Sequence, residues 1–431
     1  MKTTSVFCGN FVFVVVLSLV ISNHFAHFSN GQGVLLRSIG SVNDSIGSVA
    51  TATPIDAAGA IYWNPASISG LEKSEISFGI GIIMPKTRVS SSIDIPNVGK
   101  ISGSTKGNAG SIPDPSMAFV WRRCPKSPVT FGLGLGAVGG AASLYPSTGS
   151  PLDNPVLGGR AKSSTVIIMQ VTPTVAYKIT NRFSVGIAPV IDLASLSINP
   201  MQLGQALGAN NEVHNFGTRY AWGGGFQIGT YYDFKNHFKT GFMFKSPIWA
   251  ENLTYQGTKA DGQSTVLNDS FDLNLPTTLS LGFSYDGIQN TIIGLDIRYF
   301  DYAHTAGFKK GVVNGVVKGL DWDSVMAVAV GVERQFSPKL KLRMGYCWNE
   351  NPIPGRSAVL NVAAPLMMQH VLTMGATYSV VKNLEFSFAY IHAFKAKVTG
   401  PFPTGNQLAP IGSVTNEVSA NMISAGIAKK W

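Results

Sequence analysis

Apolar residues that recur at every second position are the feature that most restricts what this chain can fold into. Between Leu275 and Asp286, one set of alternate positions carries Leu, Thr, Leu, Leu, Phe and Tyr, and the other carries Pro, Thr, Ser, Gly, Ser and Asp. The same alternation returns at 293–299, 340–349 and 384–390. A period of two indicates β-strands with one apolar face. Segments of about ten residues exceed the five or six usual in soluble sheets and are typical of strands that cross an outer membrane.

A continuous apolar run occurs at the N-terminus, where Lys2 precedes the segment from Phe11 to Ile21 and small residues follow at 29–31. This order predicts a secretory signal peptide over residues 1–31. No later segment reaches the run of about 18 apolar residues that a membrane-spanning helix needs. The mean hydropathy is nevertheless +0.17. An exported chain that is apolar on average without apolar runs favours strands with one lipid-facing side.

Connections between the predicted strands alternate between short and long. The short ones are at 123–128, 179–182, 235–237, 286–290, 337–338 and 381–383. The long ones, rich in Gly, Pro and Asn, are near 90–112, 140–164, 196–218, 250–270, 304–322, 351–368 and 397–416. Short periplasmic turns, long outer loops and an even number of strands are typical of bacterial outer-membrane barrels. We therefore predict an all-β fold, a transmembrane antiparallel β-barrel of about fourteen strands over residues 74–431.

Residues 32–73 do not fit this pattern. They show little alternation, are rich in alanine and contain Pro54 and Pro65. Irregular backbone at membrane depth is tolerated only where protein or a water-filled cavity surrounds it. The segment is therefore predicted to be an N-terminal hatch, a plug inside the barrel lumen.

The hatch contains the stretch Tyr62, Trp63, Asn64, Pro65 and Ala66, which is a candidate for the ligand passage. Aromatic side chains beside a turn could contact a hydrophobic ligand. The alternative is a compact turn that folds the plug, since Asn bonds local backbone and Pro fixes φ.

Several motifs resemble one family. Residues 53–66 are similar to the hatch of the outer-membrane transporters of long-chain fatty acids and hydrocarbons, the FadL type, including its Asn-Pro-Ala signature. "FDLNLPTTLSLGFSYD", "FKSPI" and "LRMGYCWNENPIP" resemble later elements of that family, with Lys245 where an Arg is usual. The resemblance extends from about residue 33 to Trp431. It implies a monomeric barrel that captures hydrophobic molecules, fatty acids or hydrocarbons, at its outer loops and releases them sideways through a kinked third strand.

The third strand should be the glycine-rich segment 129–140. Its glycines, which weaken regular pairing, are the candidates for a lateral opening. They are Gly132, Gly134, Gly136, Gly139 and Gly140. An ordinary glycine-rich strand is the alternative. A dinucleotide site at the formal G-x-G-x-x-G of 134–139 is rejected, because no helix or βαβ unit follows it.

Two outer loops contain unexpected apolar residues, which mark interaction sites when exposed. The candidates for ligand capture are Ile198, Met201, Leu203, Leu207, Leu360, Leu366, Met367 and Met368. Packing of the loops on one another explains them equally well.

Charged residues are only 13% of the chain, and seven of them are predicted to face the lumen. Ion pairs that hold the hatch are the favoured interpretation. The alternative is a cation for a fatty acid carboxylate, for which Lys245 or Arg343 would be the contact. The net charge of +10 is scattered, so no nucleic acid partner is expected. No cofactor, metal or catalytic motif is predicted, and the chain is not expected to be an enzyme.

Passive transport of a hydrophobic small molecule is therefore the predicted function. A non-selective porin or a structural, adhesive barrel is the alternative. Outer-membrane lipid and lipopolysaccharide should surround the barrel. The last strand ends in Trp431, which resembles the signal that the barrel assembly machinery recognises. Cys124 and Cys347 should be a membrane thickness apart and remain free.

Overall fold

The computed structural model describes residues 32–199, 213–214, 217–259, 267–309, 311–313, 316–404 and 407–431. The predicted signal peptide at 1–31 lies outside these residues. No helix in the described part of the chain is long and apolar enough to cross a membrane.

Fourteen strands of the described residues form one closed antiparallel barrel, as predicted. The strands are β1 (Glu75–Ile95), β2 (Ile112–Trp121), β3 (Val129–Tyr145), β4 (Lys162–Lys178), β5 (Phe183–Asn199), β6 (Arg219–Asp233), β7 (Phe238–Lys245), β8 (Thr278–Ile288), β9 (Thr291–Phe300), β10 (Val325–Ser337), β11 (Leu340–Asn349), β12 (His370–Val381), β13 (Leu384–Thr404) and β14 (Gln407–Lys430). Each strand pairs with its neighbours in sequence, and β1 pairs with β14 from Glu75↔Lys430 to Ile93↔Gly412. Closure gives the backbone N–H and C=O groups of every strand a hydrogen-bond partner, which lipid cannot provide.

Alternation along the strands separates the lipid face from the lumen face. In β8, Leu281 and Phe283 are about two-fifths exposed, whereas Ser280 and Ser284 are buried. Leu275, predicted to lie on the same lipid face, is instead buried, because it pairs with Ile248 in an isolated bridge before the strand begins.

Exposed aromatic side chains lie near both ends of the strands, as expected at the two membrane interfaces. Those at the ends joined by short turns include Trp121, Phe131, Tyr177, Phe234, Phe238 and Trp431, and those at the opposite ends include Tyr220, Trp222 and Trp249.

Short turns join the strands at the predicted periplasmic end. Asn290 and Asn383 occupy two of them with φ of 59° and 69°. Asn tolerates this left-handed region better than most residues, which favours tight reversal there.

The outer connections contain more strand than predicted. The segment 397–416, predicted as a long loop, is mostly a continuation of the β13–β14 hairpin. The strand Gly99–Lys106 likewise extends β1 as a hairpin. Shorter outer strands are Val213–His214, Trp249–Ala250, Leu253–Lys259, Leu267–Phe271, Val312–Val313 and Val316–Val317, and the 3-10 turns are Tyr302–His304 and Gly355–Ser357.

Residues 32–74 fill the lumen as the hatch. Its helices are α1 (Ser41–Ser45) and α2 (Ala57–Trp63), followed by a 3-10 turn at Ser67–Gly70. Asp56 caps α2, because its side chain accepts a hydrogen bond from Gly59 N at 3.1 Å. All seven residues of α2 are buried, and the first four are Ala or Gly, whose small size permits close packing in the lumen.

Candidate functional site

A cavity of about 860 Å³, a volume that includes space open to solvent, lies in the outer half of the barrel, and we name it the outer cavity. β3, β4, β5 and the outer loops line it, mostly with apolar side chains, among them Leu196, Ile198, Phe271, Phe308, Trp322, Leu360 and Leu366. Lys162, which is 8% exposed, is the one charged side chain among the described residues that line it. Its lining suits a hydrophobic ligand.

Three aromatic rings form one wall of this region. Trp322 lies 5.1 Å from the ring centroid of Tyr302 and 4.7 Å from that of Phe308. Tyr302 also donates from its hydroxyl to Gln32 O at 2.9 Å, at the start of the hatch. A side chain at Gly33 would lie 2.6 Å from the Tyr302 ring, so only glycine fits beside it. These aromatic residues were not predicted, because they belong to loops without periodic pattern.

The hatch segment Val34–Leu36 lies at the edge of the outer cavity, which Val34 lines. Leu36 N donates to Val138 O at 2.8 Å, and Gly140 N donates to Val34 O at 3.1 Å. The segment therefore behaves as a short strand, bridged through Leu35 and Gly139, on the edge of β3. We name it the partition strand.

β3 accepts this extra strand because its pairing with β2 stops early. β2 pairs with β1 as far as Ile112, but its pairing with β3 ends at Ser116↔Gly136. Pro113 and Pro115 lack N–H groups and stand at alternate positions, which in an antiparallel strand point to the same neighbour. Since pairing with β1 continues past both prolines, the edge without donors is the one that faces β3.

A bulge in β3 widens this break. Its register with β4 shifts between Ala137 and Gly139, which leaves Val138 as the extra residue. Bulges bend a strand and disrupt the ladder locally. The sequence signal that could have located the break was the pair of prolines in β2, since Pro is confined to edges and bulges of sheets.

A second, much narrower space, of about 240 Å³ including open solvent, lies at this break, and we name it the wall cavity. The hatch contributes Ile39, Ala58, Ile61 and Tyr62 to its lining, and the barrel contributes Met117, Gly134, Leu135, Val138, Gln170 and Thr172. Leu135 is 40% exposed on the lipid side. The lining therefore extends from the hatch to the outer face of the barrel.

The glycines of β3 bring the hatch close to this wall. A Cβ at Gly134 would lie 2.9 Å from the Ile61 side chain, and one at Gly136 would lie 2.7 Å from Ile39. Gly132 lies over Ile61 in the same way, at 3.2 Å. Gly139 and Gly140 instead face the partition strand. The five predicted glycines are thus all at the hatch contact.

On the opposite side, buried charges hold the hatch. Arg298 forms an ion pair with Asp296 at 2.7 Å and donates to Ser48 Oγ at 2.8 Å and Ser48 O at 2.6 Å. Asp296 Oδ2 accepts from the backbone of residues 50 and 51 at 3.0 and 3.1 Å. The Arg298 guanidinium also lies 3.3 Å from the ring centroid of Trp63. Cys347 donates from its thiol to Gly47 O at 2.9 Å and is free, as is Cys124.

The Asn-Pro-Ala turn ties the hatch to itself and to β6. Asn64 Nδ2 donates to Thr51 O at 2.7 Å and to Thr230 O at 2.9 Å, and Asn64 Oδ1 accepts from Ala66 N at 3.0 Å. Pro65 and Ala66 pack against Gly186 of β5. Of the predicted ligand-passage residues, Tyr62 lines the wall cavity, whereas the geometry of the other four is that of a structural turn and its neighbours.

The two candidate carboxylate contacts lie outside both cavities. Arg343 is buried in an ion pair with Glu333 at 2.7 Å and donates to Thr377 Oγ1 at 2.7 Å. The Lys245 ammonium lies 4.6 Å from the Tyr62 ring centroid. For Arg343 the favoured alternative, a paired lumen charge, fits these contacts.

The predicted capture residues divide into four groups. Ile198, Leu360 and Leu366 line the outer cavity, and Met368 packs against the apolar core beneath it. Met367 is fully buried in the apolar core. Met201, Leu203 and Leu207 lie outside the described residues.

A charged cluster closes the periplasmic end of the hatch. Lys430 lies 3.5 Å from Glu75 and 2.9 Å from Glu385, and Glu75 Oε1 accepts from Ala57 N at 3.1 Å. Burial, followed by the nearby Glu75, raises the pKa of Asp56 to about 7. The carboxyl group that caps α2 therefore titrates near neutral pH.

Comparison with known proteins identifies the family. The sequence matches the outer membrane protein transport protein family (OMPP1/FadL/TodX) over residues 31–430. No curated protein matches it. Solved structures with the same fold include the toluene transporter TodX of P. putida (16% identity, TM-score 0.67), a FadL homologue of Pseudomonas aeruginosa (14%, 0.71) and the toluene transporter TbuX of Ralstonia pickettii (19%, 0.64). Each alignment covers 92% of this chain and 99% of the other. The chain therefore belongs to the OMPP1/FadL/TodX family of outer-membrane transport proteins, and its barrel lies in the bacterial outer membrane.

Proposed function

We propose that the chain carries small hydrophobic molecules across the outer membrane without an energy source. The molecule enters the outer cavity between the loops, passes the partition strand and leaves sideways through the wall cavity into the bilayer. The observation that carries the proposal is that the partition strand contacts two apolar cavities, since Val34 lines the outer cavity and Leu36 bonds to Val138 and Tyr62 of the wall cavity. A hydrophobic cargo agrees with the names of two similar proteins, which are toluene transporters.

Energetics favour sequential sites of modest depth. Burial of apolar surface contributes about 25 cal/mol per Å², so even a small hydrocarbon gains enough to leave water. A single deep site would retain it. Two cavities allow transfer in steps, with the partition strand as the moving element. Two backbone hydrogen bonds flank its bridge with β3, which is few for an element that blocks a channel.

The proposal is tested by locking the partition strand. Leu35 and Gly139 form a pair that the hydrogen bonds of their neighbours flank, the arrangement in which opposite Cα atoms are about 4.5 Å apart. This spacing suits a disulfide. In a background with Cys124→Ser, the double variant Leu35→Cys/Gly139→Cys should lose at least about tenfold of its toluene uptake when oxidised and recover on reduction.

A matched lock controls for the crosslink itself. Ser69 Oγ donates to Ser184 Oγ at 2.8 Å and joins the base of the hatch to β5, far from the partition strand. Oxidised Ser69→Cys/Ser184→Cys should transport normally. Equal uptake by the oxidised and reduced Leu35/Gly139 variant would contradict the proposed route.

A non-selective porin is the competing function. Steady ion conductance in planar bilayers at the level of an open barrel would favour it. The buried hatch supports the opposite expectation of low conductance. The barrel assembly machinery, lipopolysaccharide and a monomeric state remain predictions from the sequence.

A further inference from the structure

Outward-facing side chains change in character along the outer part of β13. Phe386 and Phe388 are about half exposed on the lipid side, and Tyr390 and His392 follow them towards the outer end of the strand. Tyr390 Oη and His392 Nδ1 each lie 2.8 Å from Asn421 Oδ1 of β14. Rings that carry a polar atom mark the level of a membrane interface. Residues farther out on these strands therefore lie at the level of the outer headgroups.

Beyond this level the outer face of β1, β13 and the hairpin strand Gly99–Lys106 carries five cations. The inward-facing residues beside them, such as Thr87, Val89 and Ala396, are buried, so alternation points the cations away from the lumen. We name this set the basic face. It consists of Lys86, Arg88, Lys106, Lys395 and Lys397.

Strand register brings the basic face together. Arg88 lies opposite both Lys106 of the hairpin strand and Glu417 of β14. Glu417 in turn lies opposite Lys397 of β13. This row crosses four neighbouring strands and spans about 14 Å, which is three strand spacings. Like charges that face each other across two strands, as Arg88 and Lys106 do, destabilise a sheet unless an anion neutralises them.

The protein itself supplies little of that neutralisation. Glu417 is the one carboxylate of the row in the described part of the chain, and it lies 3.8 Å from Arg88 and 2.7 Å from Lys395. The other three lysines of the basic face form no ion pair with any residue that the structure describes. Five cations around one carboxylate leave a clear excess of positive charge.

The charge balance differs in the outer loops on the other side of the barrel. Arg356 is matched there by two carboxylates, since it lies 2.8 Å from Asp321 and 2.9 Å from Asp323. The unbalanced cations are thus a property of the β1, β13 and β14 sector. That sector needs an anion from outside the chain.

From this arrangement we infer that the basic face binds the phosphate groups of lipopolysaccharide, the glycolipid of the outer leaflet. The lipid A part of this molecule is a disaccharide with a phosphate at each end and acyl chains beneath it. Its phosphates can meet a row of cations, while its chains lie on the exposed rings of β13 below. The inference does not depend on the proposed transport route.

The test measures binding of lipid A to the purified full chain in a mild detergent. The probes are diphosphoryl lipid A and the same lipid without its phosphates, with EDTA present so that no divalent ion bridges a phosphate to Glu417. The phosphorylated form should bind at least about tenfold more tightly, and added salt should reduce this preference by screening. Equal affinities for the two forms would overturn the inference. Equally tight binding of phosphatidylglycerol would also overturn it, because any anionic lipid would then suffice.

Substitution then tests the cations. The variant Lys86→Gln/Lys106→Gln/Lys395→Gln/Lys397→Gln keeps Arg88, so that Glu417 retains a partner. Its preference for the phosphorylated form should fall below about twofold. The matched control removes four exposed lysines elsewhere and should keep the preference. It is Lys309→Gln/Lys318→Gln/Lys339→Gln/Lys382→Gln. An unchanged preference in the first variant would overturn the assignment of the site.

Glu417→Gln distinguishes phosphate binding from a purely structural role of the cations. Glu417 competes with phosphate for Arg88 and Lys395, so its loss should strengthen binding of diphosphoryl lipid A by about two- to fivefold. Weaker binding would mean that the ion pairs only hold the strands together, and would overturn the assigned role. The wild-type comparison of the two lipid A forms decides the inference even where the four-lysine variant fails to fold.

Discussion

The hatch meets the barrel in two different ways on its two sides. Towards β9 and β11 the contact is polar and charged, through the Asp296–Arg298 pair, the Ser48 backbone and the Cys347 thiol. Towards β2 and β3 it is apolar, through isoleucines against glycines, and it contains a cavity. One side is held by ion pairs and side-chain hydrogen bonds, and the other by apolar packing and the two backbone hydrogen bonds of the partition strand.

This difference indicates which part of the hatch can move while the rest stays in the lumen. Breaking a buried ion pair leaves an uncompensated charge, so the contact resists movement. Van der Waals contacts between an isoleucine and a glycine are individually weak and can be remade after a shift. The hatch can therefore stay attached on the β9–β11 side while the partition strand moves on the β3 side.

Arg298→Ala should have the largest effect, because it breaks the charged contact between the hatch and β9. Its removal strands the buried Asp296 and deletes the bonds to Ser48, at a cost of about 3–5 kcal/mol. The Cys347 thiol, buried against Gly47 in the wild type, should then react with a maleimide in a Cys124→Ser background.

The control for that substitution is Arg356→Ala. Arg356 is exposed in an outer loop and pairs with Asp321 and Asp323, so its loss should change stability by less than about 1 kcal/mol. A hatch whose Cys347 stays unreactive in Arg298→Ala would show that the charged contacts do not anchor it.

Asp56→Asn tests whether the proton on Asp56 makes docking of the hatch depend on pH at its periplasmic end. Burial raises the pKa of Asp56 to about 7 while the hatch is docked. In a released hatch the Asp56 carboxyl group has its ordinary pKa and loses its proton at lower pH. Docking is therefore fully favoured below the ordinary pKa and weakens as pH rises to about 7, by up to about 4 kcal/mol.

Asn at this position still caps α2 and does not titrate. Hydrogen exchange of the α2 amides at about pH 5 and pH 8, corrected for intrinsic rates, should differ in protection for the wild type and not for Asp56→Asn. An identical pH dependence in both proteins would assign it to another group.

Gly134→Val should have the smallest effect, and it disturbs the apolar contact between the hatch and β3. The new side chain overlaps Ile61 and should cost about 1–3 kcal/mol of stability. The second substitution Ile61→Ala should restore part of this loss, because it empties the space that the valine needs.

Thermal unfolding of Gly134→Val and of the double variant Gly134→Val/Ile61→Ala tests that coupling. Gly224→Val is the matched control, since a Cβ at Gly224 of β6 meets no atom within 4 Å. If Gly134→Val is destabilised no more than Gly224→Val, the hatch does not press on β3.

Several features of the fold were predictable from local pattern alone. The alternation at 340–349 became β11 with the same limits, and 293–299 lies within β9. The glycines at 132, 134 and 136 were located on the correct strand. By contrast, Leu275 follows the alternation but lies inside, because a bridge with Ile248 competes with the strand.

The site was harder to predict for a physical reason. Tyr302 and Trp322 lie at opposite ends of one long outer connection, and the partition strand pairs across more than a hundred residues with Gly139. Such contacts have no period in the sequence. The Lys245 and Arg343 candidates had the right charge, but their partners, Tyr62 and Glu333, are close only in the folded barrel.

The sequence by itself determined that the chain forms a barrel, because lipid on one side and a polar lumen on the other impose a period of two on every strand. It also determined that residues 32–73 could not be part of the wall. Only the tertiary structure decided where pairing between the barrel strands is interrupted and on which side buried charges hold the hatch. Those properties depend on which strands stop pairing and which charges meet, and both arise from contacts between residues far apart in the chain.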